Sequence, residues 1–110
     1  MSAVKVCALA DLAKGTVISA EIGGLAVAVV HADDDQVYAV RDECSHAAVA
    51  LSEGEVDGCT LECWLHGSRF DLRTGAPSGL PATEPVATFP VEIRDGDIYV
   101  TLTPSNGVKP

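Results

Sequence analysis

Four side chains of this chain have the types and spacing to hold a transition metal together. Cys44 and His46 form a Cys-x-His pair, and after sixteen intervening residues Cys63 and His66 form a Cys-x-x-His pair. Thiolates are soft ligands that suit zinc and iron–sulfur centres, and neutral imidazoles suit zinc and iron. Gly67 and Ser68 follow His66 directly. In a tight loop, a glycine beside a ligand lets backbone amides turn toward thiolate or sulfide sulfur. The same set could hold one tetrahedral zinc and make a small interaction module. An all-cysteine iron–sulfur centre is a poorer match. Cys7, Cys44, Cys59 and Cys63 lack the plant-type C-x₄-C-x₂-C spacing, and that centre would leave the histidines unexplained. No C-x-x-C occurs, which removes a thioredoxin-like dithiol.

These residues need a scaffold, and the flanks supply a β pattern. Thr16 to Ile22 and Leu25 to His31 surround Gly23-Gly24, a two-residue hairpin signal. Gln36 to Val40 reads as a third strand after Asp33-Asp34-Asp35, a solvated turn. Phe89, Val91 and Ile93 alternate with polar residues or proline, Asp95-Gly96 follows, and Ile98, Val100 and Leu102 alternate again. Period-2 patterning about Asp-Gly is a strong hairpin signal. Leu9 to Lys14 hints at one helical turn, and Ser105 to Pro110 reads as a loose tail. Between them, glycine and proline recur every few residues. Such a segment is expected to bury little apolar surface of its own and to draw its order from a metal. The fold class is therefore all-β: an antiparallel sandwich or barrel from residues 1–41 and 84–104, with a metal-binding subdomain inserted at 42–83, in one domain of 110 residues.

Charge and composition narrow the function. Sixteen acids against seven bases give a net charge of −9, which argues against nucleic acid and against an anionic membrane. The longest apolar run, Leu25 to Val30, is far short of a membrane span. No signal peptide is recognisable, so the expected location is the cytoplasm, where disulfides are disfavoured.

The ligand pattern, with Phe70-Asp71, Thr74-Gly75 and the Gly79-Leu80-Pro81-Ala82 stretch, resembles the Rieske 2Fe–2S family. Within it the chain is most similar to the small ferredoxins of bacterial aromatic-ring dioxygenases, of the phenylpropionate/cinnamate dioxygenase ferredoxin kind. The resemblance runs over nearly the whole chain and implies the Rieske fold. It implies one 2Fe–2S cluster, with Cys44 and Cys63 on the inner iron and His46 and His66 on the outer one. It also implies support from Gly67 and Ser68, and a covering loop containing Pro81. Respiratory members carry two further cysteines joined in a disulfide; Val49 and Leu65 stand there. They also carry a tyrosine that donates to sulfur; Phe70 stands there. Losing that donor should place the potential low in the Rieske range, between about −150 mV and zero.

The remaining residues bound the role. A Rieske oxygenase also needs a mononuclear iron held by two histidines and a carboxylate, but beyond His46 and His66 only His31 remains. No glycine-rich dinucleotide fingerprint occurs. The resemblance therefore implies a monomeric one-electron carrier, not itself an enzyme. Its partners would be a flavoprotein reductase and a terminal non-haem iron oxygenase. A donor for iron–sulfur assembly or general cytoplasmic redox is the alternative. Trp64 and Arg69 are candidate docking residues, although Trp64 could instead pack within its loop, and Arg69 and Arg73 could balance Glu62 and Asp71. Cys7 is expected to pack as a small apolar group in an edge strand, Cys59 to pack near the cluster, and His31 to be structural or solvent-facing.

Overall fold

A computed structural model describes residues 3–43, 50–63, 69–78 and 84–108. Among these, eleven strands form three antiparallel sheets. The first has the order β1 (Val4–Ala8), β11 (Asp97–Val100), β10 (Val91–Arg94). The second runs β2 (Thr16–Ile22), β3 (Leu25–His31), β4 (Val37–Arg41), β9 (Thr88–Phe89). The third runs β5 (Glu55–Asp57), β6 (Thr60–Glu62), β7 (Arg69–Asp71), β8 (Pro77–Ser78).

Both expected hairpins form. Gly23 and Gly24 have φ of 58° and 83° and close β2 on β3 with Ile22 opposite Leu25. Asp95 and Gly96, at 50° and 79°, close β10 on β11 with Arg94 opposite Asp97. Two consecutive positive φ angles match the right-handed twist of the flanking strands. The third strand lies one residue later than expected, at Val37–Arg41, and the helical turn is a single 3₁₀ turn at Leu9–Asp11. Pro90 marks a sheet switch: β9 before it pairs with β4, and β10 after it pairs with β11.

The apolar run of β3 follows from its position. Val27 and Val29 face one core cluster with Leu12, Phe89, Ile98 and Val100. Ala28 and Val30 face a second cluster with Leu51, Leu61, Cys63, Phe70 and Leu72. The second sheet is thus a middle layer, buried on both faces, and its central strand cannot alternate apolar with polar residues. Ile93 departs from its alternation and stays exposed, because it lies on an edge strand beside the turn.

Three expectations need correction. The glycine- and proline-rich segment does bury apolar surface: Leu51, Leu61, Cys63, Phe70 and Leu72 are at most 1% exposed. Its core is borrowed from β3 and β4, which composition within the segment could not reveal. The aspartate triplet is more than a solvated turn. Asp33 accepts a hydrogen bond from the Gly58 amide (2.9 Å) and donates its own amide to the Gly58 carbonyl (3.2 Å), pinning the β3–β4 turn to the β5–β6 turn. Asp34 takes the Tyr38 hydroxyl at 2.7 Å and Asp35 takes His31 at 2.8 Å. Finally, residues 105–108 are not loose. The Ser105 amide bonds the Thr88 carbonyl at 2.7 Å, Asn106 makes four hydrogen bonds, and Val108 packs against the core.

Candidate metal centre

Three loops leave this framework, and each is tied at its root. The first follows β4. Asp42 is 6% exposed and accepts hydrogen bonds from the Ser19 hydroxyl (2.6 Å), the Ser52 amide (2.7 Å) and the Ser52 hydroxyl (2.7 Å). Its own amide donates to the Ala26 carbonyl at 3.0 Å. Ser52 belongs to the 3₁₀ turn Leu51–Glu53, where the loop returns.

The second loop joins β6 to β7, whose ends meet in register as Glu62 opposite Arg69. Cys63 follows β6 directly and is fully buried in the cluster of Leu51, Leu61, Phe70 and Leu72. Gly54 brings the two roots together. A side chain there would collide with the Glu62 carbonyl, so only glycine lets the first loop's return lie against the end of β6.

The third loop lies between β8 and the 84–88 stretch. The Gly75 carbonyl accepts from the Val86 amide at 2.9 Å. The Asn106 amide group donates to the Thr74 and Val86 carbonyls at 2.9 and 2.8 Å, while its oxygen accepts from the Thr88 and Val108 amides at 3.2 Å each. Asn106 thus spans both roots of the loop expected to carry Pro81.

Of the four expected ligands, Cys63 lies among the described residues. Cys44, His46 and His66 lie outside them, as do Trp64, Gly67, Ser68 and Pro81. Cys63 is enclosed by apolar side chains where the chain leaves the end of β6. Phe70, opposite Leu61 in the β6–β7 ladder, is also fully buried there. Arg69 is half exposed and pairs with Asp57 at 3.0 Å rather than with Glu62, while Arg73 does pair with Asp71, at 3.4 Å.

The other candidates have separate environments. Cys7 lies on edge strand β1 beside the core, and burial, then Asp11 and Asp97, push its thiol pKa up. Cys59 sits in the β5–β6 turn near Asp34, whose carboxylate raises the thiol's pKa, and it is not part of the apolar cluster around Cys63. Burial, then Asp34, pushes Tyr38 up to about 12. His31 is structural, with both ring nitrogens engaged by Leu12 and Asp35. Sequence reasoning missed Asp42, Ser52 and Asn106. Asp42 stands between Arg41 and Glu43 and reads as one of a surface charge run, while Ser105-Asn106-Gly107 reads as an ordinary turn.

Known proteins resemble this chain in sequence and fold. The family model for the Rieske [2Fe-2S] domain matches residues 2–90. The chain is 41% identical to ferredoxin CarAc of Metapseudomonas resinovorans over 97 residues, 88% of this chain and 91% of that protein. It is 41% identical to the 3-phenylpropionate/cinnamic acid dioxygenase ferredoxin subunit of Photorhabdus laumondii over 104 residues, 94% of this chain and 97% of that one. Among solved structures, it superposes with a TM-score of 0.83 and 40% identity on a chain from the complex of reduced oxygenase and oxidized ferredoxin in carbazole 1,9a-dioxygenase, covering 89% of this chain and 91% of that one.

Proposed function

The chain belongs to the Rieske 2Fe–2S family, and from that premise we propose that it is a one-electron carrier that reduces a terminal non-haem iron oxygenase and is itself reduced by a flavoprotein. Cys44, His46, Cys63 and His66 hold the cluster. Once bound, the cluster supplies a one-electron couple whose potential the histidine ligands raise above that of an all-cysteine centre.

The observation that carries this reading is Cys63, fully buried where the first and second loop roots meet. The apolar side chains around it keep water from the thiolate, and the β6–β7 hairpin fixes its backbone. Preorganised ligands lower the reorganisation that accompanies each electron transfer.

The chain itself performs no oxygenation. Outside the proposed ligands its one histidine is His31, and both nitrogens of that ring already face acceptors, so it is not free to hold a catalytic iron. The similar ferredoxin solved with its oxygenase supports an oxygenase as the acceptor here. A net charge of −9 suits fast, weak docking on basic surfaces by a cytoplasmic monomer. Trp64 and Arg69 are the proposed contacts, and Arg69 is held toward solvent by Asp57.

Dithionite reduction followed by electron paramagnetic resonance tests the cluster, together with iron and acid-labile sulfide assays. A Rieske signal with two irons and two sulfides per chain is expected, and its loss in Cys63→Ser and His66→Ala. A colourless protein holding one zinc overturns the reading. Electron delivery to an oxygenase should slow as ionic strength rises, and a salt-independent rate would remove the electrostatic docking.

A further inference from the structure

Asp42 is a buried carboxylate with an unusual set of partners. It accepts three hydrogen bonds, all from neutral groups, and among the described residues it forms no ion pair. Burying a carboxyl group is costly, and it persists only where its hydrogen bonds are made in full. The partners reveal what the arrangement holds. Ser19 lies on β2 and the Ala26 carbonyl on β3, so one side of Asp42 is fixed to the middle sheet. Ser52 lies ten residues further along, where the loop returns. Both ends of the 42–52 loop are therefore clasped by one side chain. The link continues: Leu51 packs in the cluster containing Cys63, and Gly54 abuts the carbonyl of Glu62, the residue before Cys63.

We propose that Asp42 is the positioning residue of the first ligand loop: by clasping Ser52 it sets Cys44 and His46 relative to Cys63. This rests on the reading that Cys44 and His46 are ligands. The carboxylate touches no iron; it acts through the loop. Closing a loop by a fixed side chain removes much of its conformational freedom, a role that a disulfide plays in other proteins.

The test compares Asp42→Ala, Asp42→Asn and the double variant Ser19→Ala/Ser52→Ala, each purified with its cluster. An asparagine can accept from the Ser52 amide through its oxygen and donate to the serine hydroxyls through its nitrogen, so it keeps the clasp. We expect the cluster of Asp42→Ala to bleach about tenfold faster under a chelator than wild type, the size expected for stranding buried hydrogen-bonding groups. Its resonance line positions should shift, and the Ser52 amide should exchange faster with deuterium. Asp42→Asn should keep wild-type line positions and bleach within about threefold of wild type. If Asp42→Ala fails to fold, the double variant must show the same faster bleaching. Wild-type behaviour in both Asp42→Ala and the double variant overturns the proposal, as does an Asp42→Asn as impaired as Asp42→Ala. Cys44→Ser separates the two readings: a retained Rieske signal there refutes the ligand assignment itself, whereas its loss leaves that assignment standing whatever Asp42 does.

Discussion

Nε2 of His31 lies 2.8 Å from Oδ1 of Asp35, and Nδ1 of the same ring lies 2.9 Å from the Leu12 carbonyl oxygen. Both partners accept, so the ring satisfies both only when each nitrogen carries a proton. The Leu12 carbonyl first, then Asp35, accordingly raise the His31 pKa above its ordinary 6.5, against the opposing effect of burial. A pKa raised on folding adds stability that is complete below the unfolded value and is lost as pH rises through the folded value. Above that, the neutral ring must turn a lone pair toward one of its acceptors. Wild type should therefore exceed Asp35→Asn in unfolding free energy by more at pH about 5.5 than at pH about 9. The gap should be on the order of 1 kcal/mol at most, because the Asp35 side chain is 74% exposed. Asparagine tolerates the positive φ of 66° at this position, so the comparison isolates the charge. Denaturant titrations at the two pH values measure it, and a gap that widens toward pH 9 refutes the doubly protonated ring.

Asn106 ties the C-terminal segment to both roots of the third loop. Asn106→Ala removes all four of its hydrogen bonds and strands the Thr88 amide among partly buried groups. A loss of about 1–3 kcal/mol is expected, and truncation after Pro104 should cost at least as much. Gly75→Ala should be worse still. Its φ is +77°, and an added Cβ would meet the Val86 carbonyl and the Asn106 amide. Unfolding curves check all three, and a truncated chain as stable as the full one would restore the loose tail.

Asp34 accepts from the Tyr38 hydroxyl at 2.7 Å and faces the Cys59 thiol. The Asp34 carboxylate is the largest cause that raises the Cys59 pKa above the ordinary 9.0, so at pH about 8 less of the thiol is ionised than in a free cysteine. Asp34→Asn removes that cause, and alkylation of Cys59 should become several-fold faster. Peptide-resolved mass spectrometry after iodoacetamide labelling reads this directly, with Cys7, whose pKa is raised mainly by burial, as the internal control. Equal or slower labelling of Cys59 in the variant would refute the role of Asp34.

The elements that could be read from the sequence are those specified by adjacent residues. Gly23-Gly24 and Asp95-Gly96 fix their hairpins because each turn needs residues that tolerate positive φ, and the ligand pattern lies within two short stretches. The elements that could not be read depend on partners distant in the chain. Leu61 and Phe70 gain their burial from Ala28 and Val30, 31 to 42 residues earlier. Asp42 becomes a clasp only because Ser19 and Ser52 arrive beside it, and Asn106 only because Thr74 and Val86 do. A polar side chain whose partners are set by tertiary structure looks in sequence like any surface residue.

Phe70 ties the resemblance to a measurable quantity. It is fully buried in the apolar cluster that contains Cys63 and lies opposite Leu61. In respiratory relatives a tyrosine at the matching position donates to sulfur, and a donor favours the reduced, more negative state. Without it the wild-type midpoint should fall between about −150 mV and zero. Phe70→Tyr restores a hydroxyl. If it reaches the cluster, a hydrogen bond that strengthens by about 1.4 kcal/mol on reduction raises a one-electron midpoint by about 60 mV. If it does not, a buried hydroxyl without a partner costs about 1–3 kcal/mol of stability. Potentiometric titration of the visible spectrum, paired with thermal unfolding of the same variant, separates these outcomes. A raised midpoint with little loss of stability supports the assignment of Phe70. An unmoved midpoint with a lowered unfolding temperature refutes it, as does a wild-type midpoint above about +150 mV, because the missing hydroxyl would then not be what sets the potential.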